Sequence, residues 1–346
     1  MRMGVLVNRI EGQRETYTTA HLCTEAVKRG HALWIVGIED LTCNDAGEVF
    51  GLATVFEPHG VTDTKAFTDR CRDREVIRQT VRLNDCDVVL IRANPADQSV
   101  RTKGRPSVLF GRILKRGGVV VLNDPDGLAL AGSKLYLATV PEDIRPRTLV
   151  SRNYDQIRAF VRELNCPCIL KPLHGFGGEN VFYDGRRAKT NIRSMVEAIG
   201  REDYVIAQEY VPEVTRGDKR VLLLGGEPIH IDGHPAVYRR MQPKDDHRSN
   251  IHVGGSPRKA SLSESDRRIC ATLKPRLNAD GLYFVGVDIV GEKLLEINVF
   301  APGGIDNINR LQKINVGDRV IADLEQKVAL RAAYHGTVKL GTILKT

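Results

Sequence analysis

Segment 281–305, GLYFVGVDIVGEKLLEINVFAPGGI, leaves little freedom in how the chain can fold around it. Two apolar runs, 283–290 and 294–300, flank Gly291-Glu292-Lys293, and each carries acidic or amide residues where a buried strand would carry Val or Ile. That is the pattern of a hairpin with a hydrophilic intrusion. A three-residue connection sets Val290 against Leu294 and Asp288 against Glu296. Side chains alternate between faces along a strand, so Asp288, Glu296 and Asn298 then point the same way. Two carboxylates and an amide oxygen on an otherwise apolar sheet repel one another unless a cation sits between them, and hard oxygen donors suit Mg²⁺ shared with substrate phosphates. An exposed sheet face with ordinary surface acids gives the same spacing. The phosphate binder has to come from elsewhere in the chain.

A length of 346 residues allows two or three packed units. The composition, 42% apolar and 27% charged, is that of a soluble globular protein rather than a membrane protein. No apolar run reaches membrane-spanning length, and the opening MRMGVLVNRIEG passes straight from a short strand-like run to polar residues, so neither a transmembrane helix nor a secretory signal is expected. The seven cysteines, an odd number scattered through the chain, point to reduced thiols and a cytoplasmic setting. Cys166-Pro167-Cys168 lacks the second ligand pair of a structural zinc site. A net charge of +8 invites either nucleic acid or a small polyanion. The basic residues are dispersed, however, and the densest run, 70–75, alternates in sign and reads with Arg78 and Arg82 as a solvated helix face. With a single tryptophan and no aromatic–basic interleaving, a polyanionic ligand is favoured over nucleic acid.

The first part of the chain reads as α/β, with strands at 4–8, 31–36, 87–91 and 118–122 of the kind buried in parallel sheets. Polar residues follow at their carboxyl ends, where open α/β sheets collect ligands, which makes the loop 9–19 and Arg92 candidate substrate contacts or simple capping residues. Segment 128–137, with Lys134, reads as helix. Strand 168–171 ends in Lys171 and opens into PLHGFGG, a glycine-rich turn whose backbone N–H groups can close over phosphate oxygens, or a plain hairpin turn. It is neither a Walker loop nor a dinucleotide fingerprint. Strand 204–212, ending Gln208-Glu209-Tyr210-Val211, can present an adenine-binding edge. Segment 238–250 is polar and aperiodic, as lids often are. Segment 263–279 is an amphipathic helix expected to kink or end at Pro275 and to pack on the 281–305 hairpin.

Taken in order, Lys134, Lys171 before PLHGFGG, AQEYVP, GDKRVLLLGGEP, RMQPKDDHRSN and GVDIVG…LLEINV resemble an ATP-grasp ligase, and within that superfamily the bacterial type of glutathione synthetase. The resemblance covers the chain from its first strand to about Asn309. It implies an α/β (α+β overall) ATP-grasp fold with an N-terminal parallel-sheet domain over 1–125, a lid subdomain with the glycine loop over 126–203, a subdomain with the metal site over 204–335, and a tail over 336–346. It implies ATP with Lys134 and Lys171 on its phosphates beneath Gly175, Gly177 and Gly178, Gln208, Glu209, Tyr210 and Val211 at the adenine, and Asp218 nearby. Asp288, Glu296 and Asn298 match the metal ligands, for two Mg²⁺ or for Mn²⁺. Arg220 and Arg240 match arginines at the acyl centre, Arg248 and Asn250 a mobile loop, and Arg92 a position near a substrate carboxylate.

The implied reaction joins a small-molecule acid and amine through an acyl phosphate, γ-glutamylcysteine and glycine for glutathione, in a cytoplasmic homo-oligomer (dimer or tetramer) with no membrane or nucleic-acid partner. The chain departs from the family's pattern at His174, where an acid is usual, at Arg92-Ala-Asn94, and after Asn298. There Val-Phe-Ala-Pro-Gly-Gly replaces hydroxyl-bearing residues that help bind a substrate carboxylate, and Gly303 and Gly304 are left to offer backbone donors. The alternatives are a ligase of the same chemistry joining other amino acids or a specialised peptide, and a nucleotide-binding regulator that does not turn over.

Overall fold

Three sheets succeed one another along the chain in a computed structural model that describes residues 1–95, 105–174, 180–185, 191–201, 203–241 and 255–334. Gly175, Gly177, Gly178, Arg248, Asn250 and the tail 336–346 lie outside these residues.

The first sheet contains β1 (Arg2–Val7), β2 (Ala32–Cys43), β3 (Val49–Phe56), β4 (Gln79–Arg82), β5 (Val88–Ile91) and β6 (Val120–Leu122), in the order β4-β3-β2-β1-β5-β6. Strands β2, β1, β5 and β6 run parallel, as their unbroken Val, Ile and Leu runs require. The β3 and β4 edge, two strands the sequence pattern did not mark, is antiparallel. The short connection between β2 and β3, closed by Asn44 and Glu48, can join only antiparallel neighbours. The basic run from Arg70 to Arg82 is likewise not one helix face. Helix Thr64–Arg72 ends there, and Arg82 sits on β4, where the open edge of β3 supplies ladder partners.

The second sheet is small and antiparallel: β7 (Thr148–Ser151), β8 (Cys168–Pro172), β9 (Phe182–Asp184) and β10 (Val205–Glu209), ordered β7-β10-β8-β9. Helices Tyr154–Leu164 and Ile192–Gly200 cover one face through Ile157, Val161, Val196 and Ile199.

The third sheet follows: β11 (Asp218–Leu224), the short β12 (Glu227–Pro228), a separate ribbon of β13 (His230–Ile231) and β14 (His234–Pro235), then β15 (Val237–Met241), β16 (Ser256–Lys259), β17 (Phe284–Val290) and β18 (Lys293–Asn298). Its order is β16-β15-β11-β17-β18, with β12 beside β11. One face packs Val221, Val285, Val287 and Ile289 against Ile269, Leu273 and Leu277 of helix Glu264–Ala279. That helix runs on through Pro275. The Ser263–Asp266 capping box and the burial of Leu273 and Leu277 offset the roughly 3 kcal/mol that an interior proline costs.

Two features bring the sheets into one framework. Segment 128–137 is not a single helix: helix Pro125–Ala131 stops, and a 3₁₀ turn over Lys134–Thr139 follows. The Arg105 guanidinium takes the carbonyls of Ala129 and Gly132 that a longer helix would have used, and the break turns Lys134 toward the second sheet. Just past β6, buried Asn123 accepts the N–H groups of Tyr283 and Phe284 and donates to the carbonyls of Phe284 and Val299. With every polar atom of its amide engaged, it fastens the first sheet to the third.

Candidate active site

The hairpin that opened the argument is β17–β18, and its register differs from the expected one in an informative way. The turn holds two residues, Gly291 at φ +56° and Glu292, so Val290 faces Lys293 and Ile289 faces Leu294. An unbroken ladder would then put Leu295 opposite Asp288 and Glu296 opposite Val287, on the core face. A β-bulge intervenes: the register shifts between Asp288 and Ile289, so Asp288 faces Glu296 and Val287 faces Ile297. The extra residue on β18 does what a third turn residue was expected to do. Asn298 lies on the same side, its Nδ2 donating to the Gly286 carbonyl at 3.3 Å and reaching Asp288 Oδ2 at 3.4 Å.

Across the sheet the same face continues as a row of charge. Arg220 on β11 lies directly opposite Asp288, and Arg240 on β15 directly opposite Asp218. Arg220 grips Asp288 with Nε at 2.5 Å and Nη2 at 2.9 Å, while Arg240 Nη2 reaches Asp288 at 2.8 Å and also pairs with Asp218. All four side chains are buried. Burial alone would raise the Asp288 pKa, but Arg220 and Arg240 outweigh it and hold the carboxyl far below the usual carboxylate range. Burial likewise works against charge on both arginines, and Asp288 overrides it, raising both. Gly286 makes room for this: a Cβ there would come within 3.2 Å of Arg220 Cδ and 3.1 Å of Pro302 Cβ.

The opposing wall of the cleft carries Lys134 and Lys171. Lys171, on β8, donates to Gln208 Oε1 at 2.9 Å, and Gln208 Nε2 donates to Thr148 Oγ1 at 3.1 Å. Lys134 Nζ donates to the Pro172 carbonyl at 3.1 Å. Burial and then the neighbouring charge of Lys134 pull the Lys171 pKa down to about 8, with Glu296 opposing. Burial also lowers Lys134, again against Glu296. Glu296 is therefore within electrostatic reach of both lysines, which brings the hairpin and the strand before the glycine-rich turn to one site. Two buried cations held close to one another make a place for a polyanion.

Several comparisons meet this geometry. The family model for the ATP-grasp domain of prokaryotic glutathione synthetase matches residues 133–313, and that for its N-terminal domain matches residues 1–129. The glutathione synthetase of Synechococcus elongatus is 35% identical over 340 residues, covering 95% of this chain and 99% of that protein. That of Brucella melitensis is 35% identical over 304 residues, covering 86% and 90%. The chain belongs to the prokaryotic glutathione synthetase family. Among solved structures, the D-cycloserine synthetase DcsG superposes with a TM-score of 0.61 at 16% identity over 94% of this chain and 99% of that one. The ATP-grasp ligase PsnB complexed with minimal precursor gives 0.57 at 17% identity, covering 93% and 98%. At such identities these neighbours establish the ATP-grasp fold alone.

Within that family frame the remaining candidate residues fall as follows. Glu209 Oε2 accepts the Arg147 N–H at 3.1 Å, and Tyr210 stands edge-on to Tyr183 at 4.9 Å, so this end of β10 offers aromatic and backbone surface beside Pro167 and Cys168. Val211 leads into the 3₁₀ turn Pro212–Arg216. Asp218 is engaged with Arg240 and serves as that arginine's counter-ion. Arg92 is buried, donating to Thr19 Oγ1 at 3.1 Å and to the Pro302 carbonyl at 3.2 Å, and burial lowers its pKa to about 10. No described carboxylate pairs with it. The Gly303 carbonyl accepts from Arg220 Nη1 at 3.2 Å, and Gly304 caps helix Ile305–Gln312 at φ +119°.

Three contributors escaped the sequence reading: Thr148, which orients Gln208; Asn123, which was seen only as a polar strand end; and Asp203, which holds His174 through its backbone N–H at 2.5 Å and Nδ1 at 3.0 Å. Asn123 and Asp203 lie in loops and Thr148 at the first position of a short strand, and single polar residues in such places leave no periodic signal.

The oxygen donors of the hairpin suit a hard divalent cation, and they pass a charge test only in company. Among the described residues Asp288 and Asp218 are taken up by Arg220 and Arg240, and Glu296 lies within electrostatic reach of Lys134 and Lys171, so a cation is best accommodated when it brings polyphosphate oxygens with it. Asn298 turns Nδ2 to the Gly286 carbonyl, which leaves its Oδ1 as a further hard oxygen donor. The donor set thus fits a metal–nucleotide complex.

Proposed function

We propose that the protein makes glutathione, joining γ-glutamylcysteine and glycine with ATP, and releasing ADP and phosphate through an acyl phosphate. The observation that carries this reading is the facing of Lys134 and Lys171 against the Asp288–Glu296–Asn298 row, in a chain that spans nearly the full length of a glutathione synthetase at 35% identity. Lys134 and Lys171 would hold the nucleotide phosphates, with Gly175, Gly177 and Gly178 closing above them. Gln208, Glu209, Tyr210 and Val211 would line the adenine. Asp288, Glu296 and Asn298 would hold Mg²⁺, singly or as a pair, or Mn²⁺; when bound, the metal neutralises phosphate charge and aligns the γ-phosphate.

The substrate carboxylate attacks the γ-phosphate, and the glycine amine then displaces phosphate from the acyl phosphate. Arg220 and Arg240, fixed by Asp288 and Asp218, are aimed at the oxyanions of those steps. Arg248 and Asn250 would shut the site against water, which otherwise hydrolyses the acyl phosphate. Arg92 binds a carboxylate at the edge of the first sheet, alongside the segment containing Gly303 and Gly304.

A cytoplasmic homo-oligomer belongs to the same reading. Supporting the reducing setting, all seven cysteines are free thiols, and burial raises the pKa of Cys71, Cys86, Cys168 and Cys270 to about 12. Among the described residues no helix is long and apolar enough to cross a membrane.

The test is phosphate release with ATP, Mg²⁺, γ-glutamylcysteine and glycine, beside panels of other acids and amines. Turnover confined to a different pair would move the assignment to a related ligase, a reading favoured by the apolar segment Phe300–Gly304. Nucleotide binding with no turnover on any pair would leave only a regulator.

A further inference from the structure

At the end of the third sheet away from Asp288 lies a second polar cavity of about 250 Å³, walled by Glu227, Lys274, Tyr283, Arg319, Asp323 and Lys327 among others. It opens between the start of β17, the β11–β12 turn, helix Glu264–Ala279 and helix Val316–Ala333. Tyr283 is five residues from Asp288 along an extended strand, roughly 17 Å at about 3.3 Å per residue, so the cavity is not an annex of the cleft.

The charges on its walls do not cancel. Lys274 pairs with Glu227 at 2.5 Å and leaves the tally. Arg319, Asp323 and Lys327 remain, spaced four apart on one helix face. Asp323 lies 3.9 Å from Arg319 Nη2 and 4.0 Å from Lys327 Nζ, both beyond hydrogen-bond reach, and its Oδ2 has no hydrogen-bond partner. Lys327 is only 6% exposed, which is rare for a lysine whose one acidic neighbour stands so far off. The Tyr283 hydroxyl is also buried with no partner. Two cations and one distant carboxylate around a cavity of this size, with an unused hydroxyl in its wall, form a site with one surplus positive charge.

We infer that this cavity is a second binding site, for a compact oxyanion-bearing metabolite whose carboxylate or phosphate group bridges Arg319 and Lys327. Nothing in the ligase reaction requires it.

The test keeps the catalytic cleft filled, with the non-hydrolysable nucleotide AMPPNP and Mg²⁺ at saturation, and titrates the whole protein with inorganic phosphate and, separately, with succinate by calorimetry. Binding of either probe at millimolar or lower concentration is expected, and the stronger of the two identifies the source of the oxyanion. Arg319→Gln and Lys327→Met should each weaken that binding at least tenfold while leaving AMPPNP affinity unchanged. Arg319 is a half-exposed surface residue, so its variant remains informative if Lys327→Met folds poorly. Neither probe binding, or binding undiminished in Arg319→Gln, would overturn the assignment.

Discussion

Arg220 and Arg240 on the third sheet, and Lys134 and Lys171 across the cleft from them, are two pairs of cations handled in opposite ways. Each arginine has a carboxylate directly opposite it on the neighbouring strand, so its charge is compensated within the fold and the guanidinium plane is held in place. Among their partners Lys171 has the Gln208 amide oxygen and Lys134 the Pro172 carbonyl, and both feel the more distant charge of Glu296. The arginine side is built to be rigid before substrate arrives. On the lysine side burial works against both charges, and a polyphosphate there would favour the charged forms.

Substitutions at the two walls should therefore move stability in opposite directions. The largest effect is expected for Asp288→Ala, which leaves Arg220 and Arg240 buried without their shared carboxylate and should cost about 3–5 kcal/mol of stability along with all ADP formation, read by denaturant unfolding and by coupled ADP assay. Glu296→Ala makes the cleaner catalytic test. Its side chain is half-buried and forms no ion pair within 4 Å among the described residues, so the fold should hold while turnover drops by about a hundredfold or more; a variant with wild-type turnover would remove Glu296 from the metal set. Third, Lys171→Met should stabilise the ligand-free protein by about 1 kcal/mol and weaken ATP binding at least tenfold. A loss of thermal stability instead would show that burial does not work against the Lys171 charge.

The pH dependence sharpens the same contrast. Lys171 has a folded pKa of about 8 against an ordinary 10.5, so between those values the unfolded chain keeps a proton that the folded chain has released. Stability should rise with pH through that window, and the cost of burying the charge is fully present below pH 8. Asp288 acts in the other direction. Its depressed pKa contributes stability that is complete above the ordinary carboxylate range and is lost as pH falls below it. ATP, by restoring counter-charge to Lys171, should drive uptake of up to about one proton near pH 8.5, visible as a buffer-dependent binding enthalpy. The smallest effect is predicted for Thr148→Val, which frees Gln208 to turn away from Lys171 and should raise the KM for ATP by about two- to fivefold, with kcat unchanged.

Much of this could be read before any coordinates. The alternation in 284–298 gave away a hairpin with polar residues on one face, and Lys171 ahead of glycines suggested a phosphate turn. Asp288 and Glu296 were correctly paired, although by a wrong turn length that the bulge at Leu295 happens to compensate. The break after Ala131, the persistence of helix Glu264–Ala279 through Pro275 and the antiparallel edge at β3 and β4 were not foreseeable in the same way. Each depends on a distant partner: the Arg105 guanidinium, the hydrophobic face of the third sheet, and an edge left open by β2.

The sequence alone determined which side chains share a strand face and which stretches must be buried, because strand and helix periods are local and are set by steric limits on neighbouring residues. Only the tertiary structure decided that Arg220 meets Asp288, that Arg240 meets Asp218, and that Lys134 and Lys171 are left facing each other. Those pairings follow from the lateral order β15-β11-β17 and from the packing of one sheet against another, and a charge finds its counter-ion through space, over a few ångströms, without regard to separation along the chain.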